Sequence, residues 1–481
     1  MRHKTATRAT AFFYSLGLVF TTAFAHDYEF SGGYPTAETV TKAYDDVDLN
    51  RAIEVYRFFY PTVSGAAIWN ESIRAGVQPN RRFGYLETQP KHVGYTLNSD
   101  TPYAGLLLDL HAGPMVIELP PGLLLGAALD INQRWIMDIG VPGPDAGKGG
   151  KHLILPPDYK GEVPGGYFIG RATSYRIIAG MRSLPEHGDV AGAIERLKTI
   201  KAHPLKPASD WTEPAWFDQT PSPQDQTPYK YEETLKYWEV LYDIINSEPP
   251  LEDSRAQYGN LAALGIAKGQ PFNPDARMKG ILEQAARISA AQMRVESLAD
   301  RRPDRVVWKD RQWQWAGLRY ENGSFDLPNY KDIYAADKWF YQAIATSPAM
   351  FRRDPQAGSL YWLGLRDKDG AYLDGGKTYK LSVPLPVPDR LFWSVTVYDA
   401  ETRSQVQTDQ AKAALRSLFE LKDLSGLSVD LYFGPKAPAS QEKRWIKTIP
   451  EKGWFVYFRI YGPQQPAFDG TWKPGDFEEV K

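Results

Sequence analysis

The 481-residue chain contains no cysteine. That excludes disulfides, thiolate metal ligation, a cysteine nucleophile and a lipid-anchored cysteine near the N-terminus. Histidine is scarce, at seven residues. His92, His111, His152, His187 and His203 form no pair at ligand spacing, so no metal site is read from the sequence. The formal charge is only −2, which gives no electrostatic reason to expect nucleic acid or an anionic membrane as partner. No dinucleotide fingerprint and no Gly-x-Ser-x-Gly elbow occurs. The glycine-rich stretch Pro142 to Gly150 lacks the Gly-Lys-Ser/Thr ending of a phosphate loop and reads as a surface loop. Asp367, Asp369 and Asp374 lack the later glutamate of a calcium loop and read as a hairpin turn. Long apolar runs are missing too, so no segment beyond the N-terminus is expected to span a bilayer.

What is abundant is aromatic and cyclic: 14 Trp, 28 Tyr and 37 Pro. With short apolar runs, that mixture suits β-sandwiches joined by long loops. The N-terminus is distinctive. Arg2, Lys4 and Arg8 precede an apolar stretch, Ala11 to Phe20, and then Thr22-Ala23-Phe24-Ala25. This charged, apolar, small-residue order is that of a secretory signal peptide. Cleavage after Ala25 would expose His26 and release a periplasmic or secreted protein without an integral membrane segment.

The periodicity predicts a helix from Thr36 to Tyr60, ending at Pro61, and a shorter one over Ala66 to Ala75. From Tyr85 the period changes to short strands separated by Gly, Pro and Asp. Residues 185–230 look irregular. Amphipathic helices are expected over Glu232–Asn246, Asp275–Leu298 and Asp332–Thr346, and strands again from Leu360 onward. The expected fold class is therefore mainly β with α, two β-sandwich-like modules joined by a helical section. The expected boundaries are 1–25 for the signal, 26–80 for a helical segment, 81–185 and 351–481 for the modules, and 186–350 for the connection.

Two sets of motifs carry a family likeness. Tyr95-Thr-Leu-Asn98-Ser-Asp100-Thr101-Pro-Tyr103, followed by Leu108-Asp109-Leu110-His-Ala-Gly113-Pro114, resembles the bacterial family known as domain of unknown function 1254. Leu373-Asp374-Gly375-Gly376-Lys377-Thr378-Tyr379, Phe392 to Asp399, Arg459-Ile460-Tyr461-Gly462-Pro463 and Asp469 to Gly475 resemble its usual partner, domain of unknown function 1214. The resemblance implies two β-sandwich-like modules with helices between and around them, and brings no reaction with it.

Three constellations are candidates for chemistry. Asn98, Asp100, Thr101 and Tyr103 read either as a structural turn or as a polar cluster in which Asp100 acts as base or ligand. Asp130, Arg134, Trp135 and Asp138 place two acids eight residues apart, an acid/base pair only if they meet in space. Asp399, Glu401, Arg403, Gln407, Thr408 and Asp409 form a polar loop after a core strand, where Arg403 is placed to clamp a carboxylate or a hydroxyl. Trp393, Tyr398, Arg459, Tyr461, Trp445 and Trp472 are candidate binding or stacking residues around it. The leading expectation is an exported enzyme of hydrolase or lyase type. Its small or glycan-derived substrate would lie between the modules, with Asn98, Asp100, Tyr103 and Arg403 as catalytic candidates. The alternative is a non-catalytic periplasmic binding or envelope-associated protein. No cofactor and no oligomeric state is read from the sequence.

Overall fold

In a computed structural model, residues 28–222, 231–317, 324–355 and 357–480 are described. The signal-like segment and His26 lie outside the described residues. The described residues up to Val47 and those from Asp48 onward form separate compact units. The described part of the first contains the hairpin β1 (Phe30–Ser31) and β2 (Tyr34–Pro35), and helix α1 (Ala37–Arg74) begins in it. Thr36 caps that helix, its Oγ1 accepting from the Thr39 N–H at 3.2 Å.

The expected break at Pro61 does not occur: α1 runs through it as one helix. A proline in a helix interior removes one hydrogen bond and costs about 3 kcal/mol. The surrounding burial offsets this, since Phe59, Tyr60, Thr62, Val63, Ser64 and Ala66 are all buried. Gly65 has a positional reason, because a Cβ there would meet the Ile131 carbonyl oxygen at 2.3 Å.

The first β module pairs two sheets. One has six strands in the order β12-β3-β4-β10-β6-β7 and the other four, β11-β5-β8-β9. The strands are β3 (Arg82–Leu86), β4 (Tyr103–Asp109), β5 (Met115–Leu119), β6 (Leu124–Asp130), β7 (Trp135–Gly140), β8 (Gly150–Leu155), β9 (Phe168–Arg171), β10 (Arg176–Ser183), β11 (Lys201–Pro204) and β12 (Ala215–Asp218). Leu106, Leu108, Ile177, Ala179 and Met181 alternate inward and share a core with Met115 and Ile117 of the smaller sheet. The region read as irregular contains helix α2 (Val190–Lys198) as well as β11 and β12. The glycine-rich loop is pinned rather than free: buried Asp145 accepts from the Gly140 N–H at 2.8 Å and contacts His152 at 3.1 Å.

Helices α3 (Lys236–Ser247), α4 (Arg255–Ala263), α5 (Ala276–Leu298) and α6 (Ile333–Gln342) follow, with Asp275 and Asp332 capping the last two. Together with α1 they form one apolar cluster around Tyr56, Phe59, Trp238 and Leu282. Among the described residues, no helix is long and apolar enough to cross a membrane.

The second β module has a five-stranded sheet, β13-β14-β20-β16-β17, and a four-stranded one, β19-β18-β15-β21. Its strands are β13 (Gln314–Trp315), β14 (Ser359–Gly364), β15 (Tyr379–Pro384), β16 (Asp389–Asp399), β17 (Ala414–Arg416), β18 (Ser428–Gly434), β19 (Trp445–Lys447), β20 (Trp454–Pro463) and β21 (Phe477–Glu479). Val456, Phe458 and Ile460 of β20 enter the core of this sandwich. Tyr457, Arg459 and Tyr461 therefore point out of its other face, because strand side chains alternate. The architecture is mainly β with α, two sandwich-like modules and a helical section, as the sequence pattern implied.

Candidate functional site

A cavity of about 400 Å³ is lined by the large sheet of the first module, the outer face of β14 and β20, and helices α1 and α6. Its floor follows from strand register. Leu86, Tyr103, Arg182 and Leu125 stand opposite one another across β3, β4, β10 and β6. Two residues further along each strand comes a row almost without side chains: Gly84, Gly105, Gly180, Ala127 and, on β7, Asp138. The next row is Leu107, Ile178 and Leu129. All of these line the cavity. A Cβ on Gly105 or Gly180 would meet nothing within 4 Å, so the missing side chains are the cavity itself. Ser64, Ala67, Ile68, Glu71 and Ser72 make one wall, and their spacing puts them on a single face of α1.

One end of the cavity is polar. The loop Tyr95–Pro102 plugs onto the second module. The Thr96 carbonyl accepts from Arg459 Nη2 at 3.0 Å and from the Tyr398 hydroxyl at 3.0 Å. Asp100, fully buried, accepts through Oδ2 from the Tyr461 hydroxyl and Ser394 Oγ, both at 2.8 Å. Asn98 Oδ1 accepts from the Asp100 N–H at 3.0 Å and from Arg182 Nη2 at 3.2 Å. Arg182 also donates to Thr101 Oγ1 at 2.9 Å and to the Tyr461 hydroxyl at 2.8 Å. Its guanidinium lies 5.0 Å from the Tyr103 ring and 5.2 Å from that of Tyr461.

Arg459 stands opposite Tyr361 and Ser394 in the second module's sheet. It is 2% exposed and lines the cavity, yet its Nε and Nη1 have no hydrogen-bond acceptor. Tyr361, Tyr398 and Tyr457 surround it at 5.7, 5.5 and 4.9 Å. Burial works against its charge, but Tyr398, Tyr461 and Asp100 outweigh it and its pKa is raised. Burial likewise pushes the Tyr103 and Tyr461 phenols up, so both stay protonated donors. Two guanidiniums and one carboxylate, Asp100, leave this end with one positive charge in excess.

Of the sequence candidates, Asn98, Tyr103 and Arg459 line the cavity, and Asp100, Tyr398 and Tyr461 stand behind them in the same network. Arg403 does not line the cavity. It is 2% exposed, donates to Glu232 Oε2 at 2.8 Å and to the Tyr341 carbonyl at 2.9 Å, and lies between the Tyr95 and Tyr341 rings at 4.3 and 4.2 Å. Trp393 packs on Phe458 with ring centroids 5.4 Å apart, and Trp472 on Trp362 at 6.0 Å, inside the second sandwich. Trp445 donates to the Gly434 carbonyl at 2.9 Å. Asp409 pairs with Lys447 at 2.6 Å on the surface. Asp130 accepts from the backbone of Asn132 and Arg134, while the Arg134 side chain reaches Asp253 at 2.8 Å. Asp138 keeps Oδ1 without a partner.

Arg182, Tyr361 and Tyr457 were not singled out by the sequence. Signals existed for two of them. Tyr457, Arg459 and Tyr461 recur at a period of two within an apolar strand, and Arg182 interrupts the run Ile177 to Met181.

Paired sandwiches, closed on an apolar cavity by a loop of one seated on a strand of the other, define a two-module β protein with an internal cavity. Residues 81–204 match the family described as "Protein of unknown function (DUF1254)", and residues 358–465 that described as "Protein of unknown function (DUF1214)". The two matches follow one another in that N- to C-terminal order, as the two sets of motifs implied. The VPA0106 protein of Vibrio parahaemolyticus has a similar fold, with a TM-score of 0.55 at 16% identity over 90% of this chain and 100% of that one. An uncharacterised protein of Burkholderia cenocepacia matches with a TM-score of 0.41 at 12% identity, over 92% and 96% of the two chains. No curated protein matches the chain.

Proposed function

We propose that this protein binds a small, mainly apolar molecule bearing one carboxylate, and that it does so outside the cytoplasm after export directed by residues 1–25. One observation carries the binding reading: Arg459, buried at the cavity wall, offers two unused donors. A buried cation with unmade hydrogen bonds is costly, and an incoming carboxylate supplies both acceptor and charge. The excess positive charge of the polar end favours the same ligand. Leu86, Leu107, Leu129 and Ile178 suit a hydrocarbon body better than a sugar, and the volume falls in the range of small-molecule sites.

Calorimetric titration with decanoic acid and with decan-1-ol tests it. The acid is expected to bind at least about tenfold tighter than the alcohol, and Arg459→Gln to erase that preference. Equal affinity for acid and alcohol overturns the reading. Export is tested by sequencing the N-terminus of the periplasmic protein, where His26 is expected first.

A hydrolase or lyase reading has its own support in the buried, unpartnered Oδ1 of Asp100 beside Tyr461. Turnover of an ester of the bound acid, lost in Asp100→Asn while the acid still binds, would favour it.

A further inference from the structure

The cavity has a second polar feature on the same floor. Asp138 closes the row of Gly84, Gly105, Gly180 and Ala127, so it stands where the floor has no other side chain longer than a methyl. It is 8% exposed and lines the cavity. Ser347, the Trp135 side chain and the Ala349 backbone hydrogen bond to it, but Oδ1 is without a partner. Neighbouring Gln133 makes the contrast. Its Nε2 donates to the Pro61 carbonyl and Ser64 Oγ, and its Oε1 accepts from the Ala345 N–H. Gln133 is spent on structure, whereas Asp138, though also held, keeps one oxygen unmet at the cavity wall. Burial pushes the Asp138 carboxyl up to about 6, against the hydrogen bonds that favour its charge.

Asp138 and Arg182 lie two strands and two residues apart. At strand spacings of about 4.8 Å and a rise of about 3.4 Å per residue, that is roughly 12 Å between Cα atoms. The intervening floor is Gly180, Ala127 and Leu125. The cavity therefore presents a cationic end, an apolar span and, beyond it, an acceptor with an unmade bond.

We propose that Asp138 is a second anchor, which takes a hydrogen-bond donor at the far end of a two-headed ligand whose carboxylate lies at Arg459. This rests on the carboxylate reading above. The ligand class it names is the ω-hydroxy or ω-amino aliphatic acid of medium chain length.

The test compares straight-chain acids, hexanoic to dodecanoic, with their ω-hydroxy and ω-amino counterparts by calorimetry on the intact protein. At the best-fitting length an ω-donor is expected to tighten binding about tenfold. In Asp138→Leu the ratio is expected to fall to about one. The wild-type ratio decides even if that variant fails to fold. Plain acids that bind with a ratio near one at every length overturn the second anchor and leave the carboxylate reading standing. Absence of binding by every acid overturns both. A ratio that survives in a folded Asp138→Leu protein overturns the role of Asp138.

Discussion

Asp138 carries a cost that a titration can expose. In the unfolded chain its carboxyl ionises near 3.8, and in the fold at about 6. Between those values the folded protein keeps a proton that the unfolded chain has released, so stability falls as pH rises through that window and stays lower above it. Two units correspond to about 3 kcal/mol. Asp138→Asn is expected to be more stable than the wild type at pH 8 by an amount of that order, with the difference vanishing below pH 4. Urea midpoints across that range check it, and a constant difference would contradict it. The residue was visible in the sequence as one of two acids eight residues apart. Its partnerless oxygen was not, because that depends on which row of the sheet opens onto the cavity. Arg403 shows the same limit from the other side. A polar loop after a core strand marked it as a clamp, but Glu232, 171 residues away, and the Tyr341 carbonyl already occupy its two terminal nitrogens.

At the scale of elements, the floor of the cavity is made by leaving side chains out. Gly105 and Gly180 sit on adjacent strands in register, with ordinary strand conformations and open space above. A branched side chain should suit the strand better than glycine, by about 0.5–1 kcal/mol, while filling the ligand volume. Gly180→Val is therefore expected to raise the thermal midpoint slightly and to weaken decanoic acid binding at least about tenfold. A variant that is both less stable and still binding would refute this. Strands were legible from their short apolar runs, and short strands do follow Tyr85 and return near Leu360 as the pattern implied. A glycine in a strand only signals a bulge or a close approach until its cross-strand neighbours are known. Helix α1 was misread at Pro61 because local propensity was outweighed by the buried apolar face on both sides of it. Helix α6 is tied to the segment that follows α5 by Lys338, whose Nζ lies 2.7 Å from Asp300 Oδ2 with both side chains fully buried. Lys338→Met leaves that carboxylate buried and unpaired, at a cost of about 3–5 kcal/mol, measurable as a shift of the urea midpoint.

At the scale of the whole molecule, the motif around Asn98 and Asp100 couples the two sandwiches. Thr96, Asp100 and Ser99 of the first module bond to Arg459, Tyr461, Ser394 and Arg416 of the second. Gly94 and Thr96 extend the seam through their N–H groups to Ser404 and Arg403. The same residues that build the polar end of the cavity hold its floor against its roof, so binding and module docking share one network. Part of the family likeness rested on the segment from Tyr95 to Tyr103, which is contiguous in sequence because a single loop does the docking. Removing Asp100 strips an acceptor from Tyr461 and Ser394 at once and leaves Arg182 and Arg459 without their nearby carboxylate. The wild type is expected to unfold in one calorimetric transition that ligand shifts as a whole. Asp100→Ala is expected to lower stability by about 2–4 kcal/mol and to split that transition in two, with decanoic acid no longer raising either midpoint. A single, ligand-responsive transition in the variant would show that the seam holds without Asp100. Asp100 would then be an accessory of the site and not the joint between the modules.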